Sequence, residues 1–265
     1  MSHFVILPEE HKSMSNTWDF YFANINERKA SLFVDIGIRE MAPSADHPWL
    51  LWVWVELNQP REDGLSSSQE TDLLAQIEDS LTDAVGGAID GFLAGRITTD
   101  GRREFYFYAP EFAGFGDAVA RGMERFAEYK WDADSKHDPE WTHYLELLYP
   151  TARDWEQIKN RHVIEQLQKR GDPLQKKRLV FHWAYFSSEA SRSQFVVEIR
   201  NRGYAVTDET AFADANSPYP WSVRFERIDN VDWNSINQVT IELFELADSL
   251  AGDYDGWETS VETGE

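Results

Sequence analysis

Apolar residues along this chain recur sometimes at period two and sometimes at three-to-four spacing, and the order in which the two patterns follow each other predicts the architecture. Lys29 to Ile38 places Leu32, Val34, Ile36 and Ile38 on one face at period two, which predicts a strand. Trp18 to Ile25 is a preceding strand able to pair with it. Leu50 to Leu57 is almost wholly apolar and β-prone, predicting a central strand covered on both faces. Residues 58–68, with Pro60, Gly64 and Ser66 to Ser68, predict a loop. Leu73, Leu74, Ile77, Leu81 and Val85 then follow helical spacing up to a stop at Gly86-Gly87. Residues 91–98 and 102–109 predict a hairpin, joined by Thr99-Asp100-Gly101-Arg102 with the Asp-Gly pair that tight turns favour. A helix over Asp117 to Glu128, a short strand at Tyr129-Lys130-Trp131 and a helix over Pro139 to Leu148 complete the block, and Pro150 closes it.

Residues 153–170 predict a helix with a modest stripe of Trp155, Ile158, Val163 and Leu167, stopped by Gly171-Asp172-Pro173. Beyond it come strand 178–186, helix 188–201, strand 203–212, strand 219–229, helix 233–250 and strand 253–261. The last helix has the clearest pattern, with Ile236, Val239, Leu243, Leu246 and Leu250 on one face and Asp232 and Asn234 as caps. This βαββαβ order is the ferredoxin-like pattern, and Leu50 to Trp131 repeats it. The expected fold class is α+β, two tandem ferredoxin-like (βαββαβ) domains, the first with extra N-terminal strands and a C-terminal helix. The expected domains are 1–150, a basic helical connector at 151–175, and 176–265.

Charge sharpens that division. The net charge is −22, distributed as −15 over residues 1–150, +4 over 151–178 and −11 over 179–265. A field of this sign repels phosphate backbones and attracts basic protein segments, so the expected partner is a basic segment, with no direct nucleic acid. An acidity that serves solubility alone is the alternative. The bases of the connector, Lys169, Arg170, Lys176, Lys177 and Arg178, are expected to dock on the protein's own acidic domains rather than on an acidic partner. The absence of cysteine removes disulfides and thiolate chemistry and suits a reducing cytoplasm, the expected location. Phe4-Val5-Ile6-Leu7, stopped by Pro8, is too short for a signal-peptide core, and Trp49 to Val55 is far too short for a membrane span, so no membrane role is expected.

No constellation of catalytic residues stands out, so no enzymatic activity and no cofactor are expected. His137, His143, Glu140 and Glu146 cluster around Asp138-Pro139, but their spacing matches no ligand motif, and a capped helix start explains them. Gly114-Phe115-Gly116 lacks the later glycine and Lys of a phosphate loop. Glu104-Phe105-Tyr106-Phe107-Tyr108 lies where RNA-recognition domains display stacking aromatics, yet only Arg102 and Arg103 precede it, and core packing is the expected role. Asp253 to Glu258 joins the last helix to the last strand. Gly256 there tolerates backbone conformations that other residues disfavour, and Tyr254 and Trp257 suit either an interface or the core.

Three local signatures carry a family resemblance: His182 near the end of a strand, Gly203-Tyr204-Ala205-Val206-Thr207-Asp208, and Tyr254-Asp255-Gly256-Trp257-Glu258-Thr259. With the βαββαβ order, they make residues 176–262 resemble the regulator of ribonuclease E activity B. Arg61-Glu62-Asp63-Gly64-Leu65, Gly95-Arg96-Ile97-Thr98 and the stretch from Trp141-Thr142-His143-Tyr144 to Pro150 make the first block resemble the bacterial domain of unknown function 695. The first resemblance implies a non-enzymatic, acidic regulator that binds the basic scaffold region of a ribonuclease without touching RNA. The candidate protein-binding residues are His182, Asp208, Asp253, Tyr254, Asp255, Trp257 and Glu258. Two other classes stay open: a small-molecule-binding or enzymatic module in the first domain, and an immunity-type protein that neutralises a basic toxin. Oligomeric state is not legible.

Overall fold

A computed structural model describes residue 15 and residues 17–211 and 217–263. The run Phe4 to Leu7 and the end of the predicted strand 203–212 lie outside these. The chain divides into two compact units, Met1–Pro150 and Thr151–Glu265.

The first unit comprises β1 (Trp18–Ile25), β2 (Arg28–Asp35), β3 (Trp49–Glu56), α1 (Thr71–Ile89), β4 (Phe92–Thr99), β5 (Arg102–Ala109), α2 (Phe115–Met123) and β6 (Trp131–His137). Its six-stranded sheet has the order β1-β2-β4-β5-β3-β6, antiparallel throughout. The last four positions are the ferredoxin-like arrangement, and β1 and β2 extend it at the β4 edge. Leu51, Val53 and Val55 of β3 and Phe105 and Phe107 of β5 face α1 and α2, in a core with Leu74, Ile77, Leu81, Val85 and Val119.

The opposite face is covered at one end by residues 138–149. Trp141 stacks on Tyr108 at 3.9 Å, the Tyr144 hydroxyl donates to the Asp35 carbonyl at 2.9 Å, and the Tyr21 hydroxyl donates to the Leu148 carbonyl at 2.9 Å. This segment departs from the predicted helix over 139–148. The helix starts late, with residues 142 and 143 running into a π-turn at Tyr144–Leu148, because Asp138 accepts from the backbone of Thr142 and His143 while Trp141 turns left-handed at φ 55°. The predicted strand through Ile38 also ends early. Asp35 accepts from the Gly37 amide and starts a 3-10 turn over Ile36–Glu40 that still buries Ile36 and Ile38. The strand expected at 129–131 runs instead over Trp131–His137. The Asp100-Gly101 turn has both φ values positive, at 48° and 78°, as its sequence predicts.

The second unit comprises α3 (Ala152–Lys169), β7 (Arg178–Phe186), α4 (Glu189–Asn201), β8 (Ala205–Ala211), β9 (Trp221–Asp229), α5 (Trp233–Ser249) and β10 (Gly252–Thr259). The sheet order β10-β7-β9-β8 is again the ferredoxin-like one, and all its pairs are antiparallel. Helices α4 and α5 cover one face over Phe186, Phe195, Ile199, Val223, Phe225, Leu243 and Tyr254. Side-chain caps set the starts: Thr151 with Asp154 forms a capping box for α3, Ser188 accepts from Ser191, and Asp232 accepts from Ser235. Helix α3 packs beside α5 and β10, burying Ile158, Ile164 and Leu167. Both units are therefore ferredoxin-like, as the repeated element order predicts.

Candidate partner-binding face

Strand β10 is an edge strand carrying five of the seven candidate residues, and its alternation sorts them by side. Tyr254 and Trp257 point into the helix-covered core, whereas Asp253, Asp255 and Glu258 are exposed. A β-bulge makes this possible. The register shifts between Tyr254 and Gly256, and Gly256 takes φ 138°, a region that an L side chain strains to enter.

The Tyr254 hydroxyl hydrogen-bonds His182 Nδ1 at 2.8 Å. The imidazole stacks on Phe225 and meets Tyr204 edge-on. It is fully buried, and its Nε2 has no hydrogen-bond partner among the described residues. Burial, reinforced by Arg227, holds the His182 pKa down at about 3, and burial pushes the Tyr254 hydroxyl well up. Trp257 Nε1 donates to Asn160 Oδ1 at 2.7 Å, and Asn160 Nδ2 donates to Asn237 Oδ1 at 2.8 Å and to Thr240 Oγ1 at 2.6 Å. This network is buried and ties β10 to α3 and α5. His182, Tyr254 and Trp257 are thus core residues.

His182 gives the second unit a pH signature. In the unfolded chain this histidine takes up a proton below about pH 6.5, and in the folded chain it refuses one until about 3. Stability is full above the upper value and falls as pH drops between the two, by about 1 kcal/mol per pH unit. His182→Phe should flatten that slope in denaturant titrations at a series of pH values; an unchanged slope would contradict the buried neutral imidazole.

Among the described residues, the other face of this sheet carries no helix of its own unit. Leu179, Phe181, Trp183 and Tyr185 of β7 alternate with the core residues Val180, His182, Ala184 and Phe186 and remain partly or well exposed, as does Ile228 of β9. Cross-strand register brings Asp253 opposite Tyr185, Glu258 opposite Phe181, and Asp208 of β8 opposite Arg224. Asp208 therefore sits at the far edge of the same face from Asp253 and Glu258. Arg224 lies across the middle, its guanidinium 4.8 Å from the Phe181 ring and 5.1 Å from the Trp183 ring, with Glu258 at 3.7 Å. The local potential is negative around β10: burial raises the Glu156 carboxyl, and Asp253 and Asp255 raise it further against the opposing Lys159.

This aromatic row is what sequence reasoning missed. Every residue from Leu179 to Phe186 is apolar, aromatic or histidine, so period two could not say which set was inside. The paired position of Arg224 with the acidic signatures was the available clue. Of the connector bases, Arg178 is buried and paired with Asp172 in its own unit, while Lys169, Arg170, Lys176 and Lys177 are exposed. In the first unit, Tyr106 and Tyr108 are buried under His143 and Trp141, as core packing predicts. Among the described residues, no group of three or more His, Asp or Glu is placed to hold a metal, and no helix is long and apolar enough to cross a membrane.

Comparison with known proteins accords with this division. The model of a family described as regulator of ribonuclease activity B matches residues 157–259. No curated protein matches the chain. Among solved structures, an unknown protein from Galdieria sulphuraria is similar over 81% of this chain and 99% of its own, at 8% identity and a TM-score of 0.24. A putative glycine cleavage system transcriptional repressor is similar over 80% of this chain and 98% of its own, at 10% identity and a TM-score of 0.25. The family model described as a family of unknown function (DUF695) matches residues 16–149, more than half of the chain, and the chain belongs to that family.

Proposed function

We propose that this chain is a non-enzymatic, protein-binding regulator of a ribonuclease, and that its second unit takes a basic, extended segment of that enzyme across the open face of the β10-β7-β9-β8 sheet. The observation that carries the reading is Arg224. Its guanidinium rests on the rings of Phe181 and Trp183 with a carboxylate beside it, so the face already holds one arginine in the way it would hold a partner's. Tyr185 with Asp253, and the exposed Asp208, extend the same chemistry to either side. Support comes also from the ribonuclease-regulator family match over residues 157–259 and from the net charge of −22. Exposed carboxylates around an aromatic centre favour fast, salt-sensitive association with cationic chains.

The test is binding of the full chain to the basic segments of the cognate ribonuclease, measured by fluorescence anisotropy at low salt. Tight binding that fades as salt rises is expected. The triple variant Asp208→Lys, Asp253→Lys and Glu258→Lys should weaken it about tenfold or more, since three exposed ion pairs are reversed. No binding at low salt would sink the proposal, and undiminished binding by the triple variant would remove this face from it.

A further inference from the structure

The first unit has an incompletely covered sheet face of its own. Strand β3 alternates Leu51, Val53 and Val55, which face α1 and α2, with Leu50, Trp52 and Trp54 on the other side. The expectation that this strand is covered on both faces holds only at its Leu50 end. Leu50 is buried, but Trp52 and Trp54 are only half-buried. Neither indole has a hydrogen-bond or ring partner among the described residues.

Register places a carboxylate beside each ring. Trp52 is opposite Asp134 of β6 and Tyr106 of β5, and Trp54 is opposite Asp132 of β6 and Glu104 of β5. Glu104 is already paired with Arg102, at 2.6 Å. Asp132 and Asp134 are exposed and have no basic partner among the described residues. Their hydrogen bonds are local, accepted from the amides of Ala133 at 2.9 Å and Ser135 at 2.7 Å. The result is two ring–carboxylate pairs, Trp52 with Asp134 and Trp54 with Asp132, two residues apart along the strands.

We propose that this face is a docking site for an arginine-rich, extended segment of a partner protein, separate from the face on the second unit. Two arguments choose the occupant. An indole flanked by an unpaired carboxylate is complementary to a guanidinium, which stacks on the ring and pairs with the acid. The spacing fits too: positions two apart on a strand are about 7 Å apart, the interval at which an extended chain presents alternate side chains on one side. Arginines at alternate positions of such a segment meet both pairs together. A phosphate backbone meets carboxylates here and is repelled, and a second copy of this chain brings net charge −22 against the same sign.

The proposal is tested on the full chain carrying 5-fluorotryptophan, with the fluorine resonances of Trp52, Trp54 and Trp183 assigned by single replacement with Phe. Oligoarginine is the probe, with oligoglutamate and a neutral glucose oligosaccharide as controls. The Trp52 and Trp54 resonances should move with oligoarginine, stay fixed with both controls, and return as salt is raised to about 0.5 M. Asp132→Asn with Asp134→Asn, on an exposed edge, should weaken that response about fivefold. Movement of Trp183 alone would overturn this inference while leaving the proposed function standing. Movement of Trp52 and Trp54 without Trp183 would do the reverse. Still resonances at all three would overturn both, and movement of Trp52 and Trp54 with the oligosaccharide but not with oligoarginine would replace the partner by a glycan.

Discussion

Trp257→Ala should cost the second unit about 3–5 kcal/mol, enough to unfold it in part at ambient temperature. The indole is 8% exposed and lies in a cluster with Ile164, Leu167, Val180, Val231 and Ile236, so truncation leaves a cavity that this small core cannot close. It also strands Asn160 Oδ1, which loses the indole donor 2.7 Å away. Trp257→Phe separates the two effects, keeping most of the packing and losing about 1–2 kcal/mol for the orphaned acceptor. The chain has two units and need not unfold in one step, so amide hydrogen exchange over residues 151–263 is the suitable measurement. If Trp257→Ala left protection there unchanged and only weakened partner binding, the core assignment of this ring would be wrong.

Arg178→Met should be comparably damaging, at about 3–5 kcal/mol. Arg178 and Asp172 form a double hydrogen bond whose second contact, Nη2 to Oδ1, is 3.0 Å, and both side chains are almost fully buried. Removing the guanidinium leaves a buried carboxylate without its counter-charge, and that uncompensated charge accounts for most of the loss. Arg178→Met combined with Asp172→Leu should recover part of it, because the uncompensated charge is gone while the Leu174 and Glu262 amides lose their acceptor. A pH signature distinguishes this from simple packing loss. The Arg178 hydrogen bond, with backbone amides behind it, holds the Asp172 pKa down to about 2 from 3.8. The contribution of the pair is therefore full above about pH 4 and lost as pH falls toward 2. The penalty of the single variant should begin to shrink above that range, where burial makes the stranded carboxyl take up a proton, and go on shrinking as the wild-type pair is lost. A penalty independent of pH would refute the ion-pair explanation.

Much of this fold was legible because its strongest elements agree at several levels. The stripe from Ile236 to Leu243 with Asp232 before it gives α5, and Asp100-Gly101 gives the β4–β5 hairpin. Elements failed where a local contact outweighed the pattern. Asp35 ends β2 although Ile36 and Ile38 keep the alternation, because its side chain takes an amide that a strand would leave for the ladder. Strand β6 was hidden because an edge strand with one solvated face, Trp-Asp-Ala-Asp-Ser-Lys-His, lacks the apolar content by which strands are recognised. The β1–β2 turn at Asn26-Glu27, with φ values of 49° and 63°, has no glycine to announce it. The candidate face was half legible. Asp208, Asp253 and Glu258 share it, but the aromatic row between them could not be told from core in a strand that is apolar on both sides.

The Asp172–Arg178 pair bears on more than stability. Asp172 also accepts from the Glu262 amide at 2.8 Å, and Arg178 donates to the Ser260 carbonyl at 3.1 Å, so the segment entering the first strand of the second sheet and the segment leaving its last strand meet at one point. The pair thus closes the β7-to-β10 module on itself, with α3 attached outside that closure, so both ends of the module are held or released together. Fraying that begins at either end has to break the same buried contact, which makes the opening of the module one event and not two.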